Sequence, residues 1–101
     1  MVRDERMLLM NRKWVKYEEN TEATGFSGNG QCYYQYMLGD VCVGEVGRSW
    51  YSMKVAPDDV YQAIVHLPGV DIPYALYPSI EIVKRIVESE VDIWLRKAGL
   101  A

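Results

Sequence analysis

Residues 32–46, CYYQYMLGDVCVGEV, carry the strongest fold signal in the chain. Two runs rich in aromatic and β-branched residues flank Gly39 and Asp40. Glycine followed by aspartate is typical of a two-residue type II′ turn, because glycine tolerates the positive φ at its first position. The pattern therefore predicts an antiparallel hairpin. Its register is expected to pair Leu38 with Val41, Tyr36 with Val43, and Tyr34 with Glu45.

The next segment, WYSMKV at residues 50–55, is also rich in residues that favour strands. Gly47, Arg48 and Ser49 are expected to connect it to the hairpin as a three-residue loop. This loop length is preferred because a shift of one residue exchanges the two faces of a strand. With it, one side of the sheet becomes apolar, comprising Tyr34, Tyr36, Leu38, Val41, Val43, Tyr51, Met53 and Val55.

Two further segments complete the predicted sheet. Residues 12–18, RKWVKYE, suit a short first strand. Residues 57–67 are ambiguous, because Pro57 and two aspartates suit a helix start while the following aliphatic and aromatic residues favour a strand. A strand at 60–67, ended by Pro68 and Gly69, is the preferred interpretation. The chain is thus predicted to be a single α+β domain, with a segment at 1–11, an antiparallel β-meander of three to five strands at 12–67 and a C-terminal helix at 79–98.

The C-terminal helix has signals at both ends. Ser79 is a good N-cap, and Gly99 suits the left-handed position after a helix, which would fold Leu100 back against Leu95 in a Schellman motif. At about 100° per residue, one apolar stripe is expected to cover the sheet. It comprises Ile80, Val83, Val87, Val91, Trp94, Leu95 and Ala98. The polar arc predicts two i,i+4 ion pairs, Glu81 with Arg85 and Asp92 with Arg96.

A second apolar row, Ile82, Ile86 and Ile93, lies on another side of the same helix. One sheet cannot cover both rows, so the isoleucine row needs another cover. The segment MLLM at residues 7–10 is one candidate, and a partner protein or a second copy of the chain is the other. The row is therefore a predicted partner or dimer interface.

Charge is distributed unevenly along the chain. The net charge is −3 overall, but residues 17–83 contain nine acidic residues against Arg48 and Lys54. Such a region repels phosphate backbones and attracts basic surfaces, so we expect a basic protein partner and no direct binding of nucleic acid. The predicted partner-binding acidic patch comprises Glu18, Glu19, Glu22, Asp40 and Glu45. A solvated acidic face without a binding role is the simpler alternative.

Composition also bounds the location and the chemistry. No apolar run approaches the roughly 20 residues of a membrane span, and two cysteines are too few for a disulfide scaffold, so a cytoplasmic location is expected. His66 is the only histidine and has no cysteine near it in the sequence, so no metal site is predicted. No cofactor motif or catalytic pair is recognised, and the chain is expected not to be an enzyme. In the predicted register Met37 faces Cys42, which disfavours a disulfide between Cys32 and Cys42.

The chain resembles two classes of known proteins, and each resemblance implies a function. VYQAIVHLPGV (60–70) followed by PSIEIVKRIVESEVDIWL (78–95) resembles the core of HicB-type antitoxins, which implies a dimer that neutralises a small toxin. The Tyr- and Trp-rich meander with one capped helix ending Trp-Leu-x-x-Ala-Gly is similar to small phage and prophage proteins, anti-CRISPR proteins among them. That likeness implies a non-enzymatic inhibitor or adaptor that blocks a basic nucleic-acid-binding surface of its target.

Overall fold

The structure, a computed structural model, describes residues 11–18, 24–26, 30–57 and 59–100. Within them lie four strands and two helices, β1 (Arg12–Lys16), β2 (Gln31–Leu38), β3 (Val41–Arg48), α1 (Trp50–Val55), β4 (Gln62–Val65) and α2 (Ile80–Lys97). The strands form one antiparallel sheet in the order β1-β2-β3-β4. α2 packs on β3 and β4. The predicted α+β fold, a β-meander packed on a C-terminal helix, is confirmed.

The central hairpin follows the prediction near its turn and departs from it further away. Gly39 has φ of 61°, and no described non-glycine residue has a positive φ, which agrees with a type II′ turn. Leu38 pairs with Val41 and Met37 with Cys42 as expected. A β-bulge then inserts Val43 as an extra residue in β3.

Over the next three pairs the register is shifted by one residue, and a second irregularity, at Tyr33 of β2, restores the original register, so that Cys32 pairs with Gly47. Gly44, Glu45 and Val46 are the β3 partners of Tyr36, Gln35 and Tyr34 respectively. The predicted pairs of Tyr36 with Val43 and Tyr34 with Glu45 are therefore wrong. A turn sets the register only as far as the ladder continues without interruption.

The predicted strand at 50–55 is also wrong, because these residues form α1. β3 continues to Arg48, and the Ser49 side chain caps the helix by accepting from the Ser52 N–H at 3.2 Å. The Arg48 guanidinium donates to the carbonyls of Ser52 at 2.8 Å and Ala56 at 3.2 Å. These contacts outweigh the strand propensity of the segment, which is a weak preference. Tyr51, Met53 and Val55 are consequently exposed rather than part of the core.

The ambiguous segment contains a strand, as preferred, but this strand is shorter than the predicted 60–67. β4 occupies Gln62–Val65 and pairs antiparallel with β3. Pro68 and Gly69 follow in a turn, and Gly69 has φ of 78°. The Trp94 indole N–H donates to the Pro68 carbonyl at 2.8 Å, which ties this turn to α2.

Both predicted ends of α2 are confirmed. The Ser79 hydroxyl accepts from the backbone N–H of Glu81 at 3.1 Å. At the other end, the Leu100 N–H donates to the Leu95 carbonyl at 2.8 Å, and the Gly99 N–H donates to the Arg96 carbonyl at 3.1 Å. Those two bonds, together with φ of 75° at Gly99, define a Schellman motif.

The core lies between the predicted stripe of α2 and one face of the sheet. Val83, Val87, Val91 and Leu95 are all buried, and each contributes about 1.5–3 kcal/mol. Trp94 packs against this core from its edge, whereas Ala98 is exposed. No described helix has the length and apolar character needed to cross a bilayer.

The ion pairs on α2 differ from the predicted i,i+4 pairs. Asp92 pairs with Arg12 of β1, and Glu81 lies 4.0 Å from Lys84. Trp14 of β1 also reaches α2, where its indole N–H donates to a Glu88 carboxylate oxygen at 2.8 Å. β1 therefore lies close enough to α2 to compete for its carboxylates.

Candidate functional site

The sheet face opposite α2 carries a cluster of polar side chains beneath a short loop segment. Phe26 is buried against it, and a Cβ added to Gly47 of β3 would lie 2.7 Å from the Phe26 ring. This close approach leaves no space for a side chain at position 47. Thr24, Gly25 and Phe26 therefore form a lid over the centre of β3.

Glu45 lies at the centre of this face, with no solvent exposure. Its carboxylate accepts from the backbone N–H of Gly25 at 2.7 Å, from the Thr24 hydroxyl and from the Nε2 edge of His66. Burial acts to raise the pKa of Glu45, but these hydrogen bonds outweigh it and hold that pKa below its ordinary value. The buried carboxylate is therefore ionised at neutral pH.

Cys42 and His66 converge on Glu45. The Val43 bulge places Val43 and Gly44 towards α2, since Val43 packs with Val87 and a Cβ on Gly44 would press on Val87. Cys42 and Glu45 consequently share the opposite face. One ligating atom from each of Cys42, Glu45 and His66 lies within 4.8 Å of the other two.

The expectation that His66 has no cysteine near it is wrong in three dimensions. His66 also has a positioned carboxylate partner, Glu45, which the sequence did not reveal. No local sequence pattern predicts either contact. His66 is 21 residues from Glu45, and residues three apart in a strand, such as Cys42 and Glu45, share a face only when a bulge lies between them. A donor set of thiol, carboxylate and imidazole is one that could hold a divalent transition metal.

Two further polar side chains lie beside this cluster. Gln35 is directly opposite Glu45 on β2 and is buried, and its Nε2 has no hydrogen-bond partner within the part of the chain that the structure describes. Cys32 is buried on the same face, and burial raises the pKa of its thiol to about 12. Cys32 is therefore a neutral thiol, while Gln35 offers an unused donor.

A separate candidate is the outer surface of α1, which we call the α1 surface: Trp50, Tyr51, Met53, Val55 and the neighbouring Tyr74. Their exposed fractions are 51%, 60%, 42%, 58% and 61% in that order. Tyr74 comes from the connection before α2, and its hydroxyl lies 2.7 Å from the Ser52 hydroxyl. Large aromatic side chains exposed side by side are unusual on a protein that functions alone. Sequence reasoning missed this surface because it placed three of these five residues on the apolar side of the sheet.

The predicted acidic patch is not a single surface. Glu45 is fully buried, so its assignment to a docking patch is wrong. Glu18 follows Tyr17, which bonds to the Tyr33 carbonyl, whereas Asp40 lies in the turn at the far end of β2. The strand between those ends spans roughly 17 Å, about twice the Debye length at physiological ionic strength. Glu19 and Glu22 lie outside the described residues.

The isoleucine row remains accessible along part of α2. Ile82 and Ile93 are exposed and Ile86 is half-buried. A shallow groove of about 340 Å³ runs beside Ile82 and Ile86, lined also by Arg85, Ser89 and Glu90. The segment 7–10, predicted as one possible cover, lies outside the described residues, so its role stays a prediction.

No known family model, curated protein or solved structure matches this chain. Three features of the structure bear on function: the α1 surface, the isoleucine row and the cluster around Glu45.

Proposed function

We propose that this chain is a non-enzymatic protein-binding domain that presents the α1 surface to a partner protein. The observation that carries the proposal is the exposure of Trp50 and Tyr51 on a helix held at both ends, with the exposed Tyr74 bonded to the same helix through Ser52. Tryptophan and tyrosine are the side chains most enriched among residues that dominate binding energy at protein interfaces. Each combines a large apolar area with a polar group at its edge.

The rigidity of α1 supports this proposal. Arg48 binds the carbonyls of Ser52 and Ala56, and Gln62 of β4 accepts from the Ser49 N–H at 2.6 Å. A six-residue helix is too short to be stable alone, so these contacts hold it in place. A preorganised helix loses little conformational entropy on binding, which favours affinity.

The partner is proposed to be a basic protein, with the chain in the cytoplasm. The net charge of −3 attracts a basic surface over long range, while the α1 surface supplies the contact area. An inhibitor or adaptor of the anti-CRISPR kind, which covers a basic nucleic-acid-binding surface of its target, is the specific form that the resemblance implies. In that form the chain itself does not bind nucleic acid.

A second candidate is a dimer of the HicB-like antitoxin type, formed through Ile82, Ile86 and Ile93. The groove beside Ile82 and Ile86 favours it, since an isologous dimer could bury both copies of this groove at once. The two candidates use different surfaces, so they can be tested separately.

The test is a quantitative pull-down from the native host with four versions of the chain: wild type, the double variant Trp50→Ala/Tyr51→Ala, Val41→Ala and Ile86→Glu. Val41 is the matched control, because it is as exposed as Tyr51 and lies at the start of β3, away from α1. Loss of two anchor residues costs about 2 kcal/mol or more, or roughly 30-fold in Kd. We expect the double variant to lose the partner and Val41→Ala to keep it.

Two readouts complete the experiment. The thermal midpoint of each exposed-site variant should stay near that of wild type, because surface substitutions change stability by about 0.5 kcal/mol or less. Equal recovery of the partner by the double variant and wild type would refute the proposal. Loss of self-association in Ile86→Glu, measured by sedimentation, would favour the dimer instead.

A further inference from the structure

We propose that Cys42, Glu45 and His66 form a binding site for a Zn²⁺ ion on the sheet face opposite α2. The Cys42 thiol, the Glu45 carboxylate and an imidazole nitrogen of His66 each offer one ligand atom within 4.8 Å of the other two. Zinc is bound in proteins by these three donor types, with a fourth position taken by water in open sites. This face of the sheet is separate from the α1 surface.

The backbone holds the three side chains in place. Cys42 and Glu45 belong to one strand, and the Val43 bulge turns both to the same face. The His66 N–H donates to the Val43 carbonyl at 2.9 Å, which fixes the histidine beside that bulge. Bulges commonly redirect a side chain next to a functional site. A regular ladder would leave Cys42 and Glu45 on opposite faces.

The distances fit zinc after small side-chain movements. Ligand atoms of a tetrahedral zinc ion lie roughly 3.3–3.7 Å apart, from Zn–S of about 2.3 Å and Zn–N and Zn–O of about 2.0–2.2 Å. The three atoms here lie at most 4.8 Å apart, which is wider than that spacing by up to about 1.5 Å. Both Cys42 and His66 are partly accessible, so an ion can reach the site without unfolding of the chain.

Neighbouring residues hydrogen-bond to the proposed ligands and fix their orientation. Thr24 and Gly25 donate to Glu45, which fixes the orientation of its carboxylate, as outer hydrogen bonds do in metal sites. Gln35, 4% exposed, lies opposite Glu45 with its Nε2 unpartnered among the described residues. A buried donor without a partner is unfavourable, and a water that completes the coordination of the ion would offer it an acceptor. A hydrogen bond between Glu45 and His66 alone does not account for the Gln35 Nε2, which has no partner among the described residues.

The test is a titration of the untagged, chelator-treated full chain with Co²⁺, followed by displacement with Zn²⁺. Co²⁺ reports its ligands directly, through intense visible bands in tetrahedral geometry and a near-ultraviolet charge-transfer band from a thiolate. We expect one equivalent of Co²⁺ to bind with both signals, Zn²⁺ to abolish them, and Zn²⁺ to raise the thermal midpoint.

Three single variants assign the ligands: Cys42→Ser, His66→Asn and the matched control Cys32→Ser. Removing a ligand should weaken Zn²⁺ binding by more than about 100-fold, since loss of an outer-shell partner already costs about 10–100-fold. Cys32→Ser should keep the charge-transfer band, because the Cys32 thiol is not among the three converging atoms. It should also keep the affinity, because the serine hydroxyl can donate to Glu45 as the thiol does. Circular dichroism checks that each variant is folded.

The wild-type titration decides the question even if a variant fails to fold. Absence of both cobalt signals in the folded wild-type chain at micromolar metal would overturn the proposal. Binding that survives in Cys42→Ser and in His66→Asn would overturn it as well, since the ion would then lie elsewhere. Equal loss in Cys32→Ser and Cys42→Ser would overturn the assignment of the ligands.

Discussion

Replacement of Gly44 by alanine tests how closely α2 packs on the sheet. An added Cβ at this position would lie closer than 3.0 Å to Val87 Cγ1 and 3.3 Å from the Ile64 carbonyl oxygen. Carbon atoms in favourable contact lie about 3.5–4.0 Å apart. Val87 is fully buried between Tyr36, Val43 and Val91, so it cannot turn aside, and either the helix or the strand must move by about 0.5 Å or more.

The expected loss in the free energy of unfolding is the cost of overpacking minus the gain from a less flexible unfolded chain. Overpacking of a core costs about 1–3 kcal/mol. The φ of Gly44 is not positive, so alanine gains about 0.4–1 kcal/mol by restricting the unfolded chain. The net loss should be about 1–2 kcal/mol, which lowers the thermal midpoint by about 4–16 °C in a domain of this size. Urea denaturation followed by tryptophan fluorescence measures the loss directly.

A double-mutant cycle identifies the clash as the cause. Val87→Ala removes Cγ1, so Gly44→Ala should cost about 1 kcal/mol less in that background than in wild type. Val91→Ala is the matched control, because Val91 is equally buried on the next turn of α2 but is not among the atoms nearest to position 44. A Gly44→Ala variant as stable as wild type would refute the clash. An equal reduction of its stability cost in the Val87→Ala and Val91→Ala backgrounds would refute it as well.

Two other predictions concern the helix ends. Arg48→Met removes the donors to the Ser52 and Ala56 carbonyls, each worth about 1.5–3 kcal/mol as a bond from a charged group, and should release α1. Hydrogen exchange of the Ala56 amide should then accelerate by more than tenfold, and unchanged protection would contradict this role for Arg48. Ser79→Ala removes the N-cap of α2 and should cost about 1 kcal/mol in urea denaturation. Ser79→Asp should stay close to wild type, and a loss equal to that of Ser79→Ala would show that the cap does not matter.

The predictions that failed share one cause. The pairing of Tyr36 with Val43, the strand at 50–55 and the surface position of Glu45 all assume that the ladder continues regularly and that local propensity decides the element. The bulge at Val43 interrupts the ladder, and α1 is held by bonds from the preceding Arg48 and to Gln62 of β4. Propensities for strand span only about 1 kcal/mol, so a few such contacts are enough to overturn them.

The sequence by itself determined the features whose causes lie within a few residues. These are the Gly39 turn, the capped ends of α2 at Ser79 and Gly99, and the buried stripe that makes the chain an α+β meander with one long helix. Tertiary structure alone decided the rest. It converted residues 50–55 into a helix with exposed aromatic side chains, and it gathered Cys42, Glu45 and His66 on one face. The cluster depends on the pairing of β3 with β4, and α1 is held in part by Gln62 of β4. The free energy of such contacts between separate elements is not encoded in any local pattern of residues.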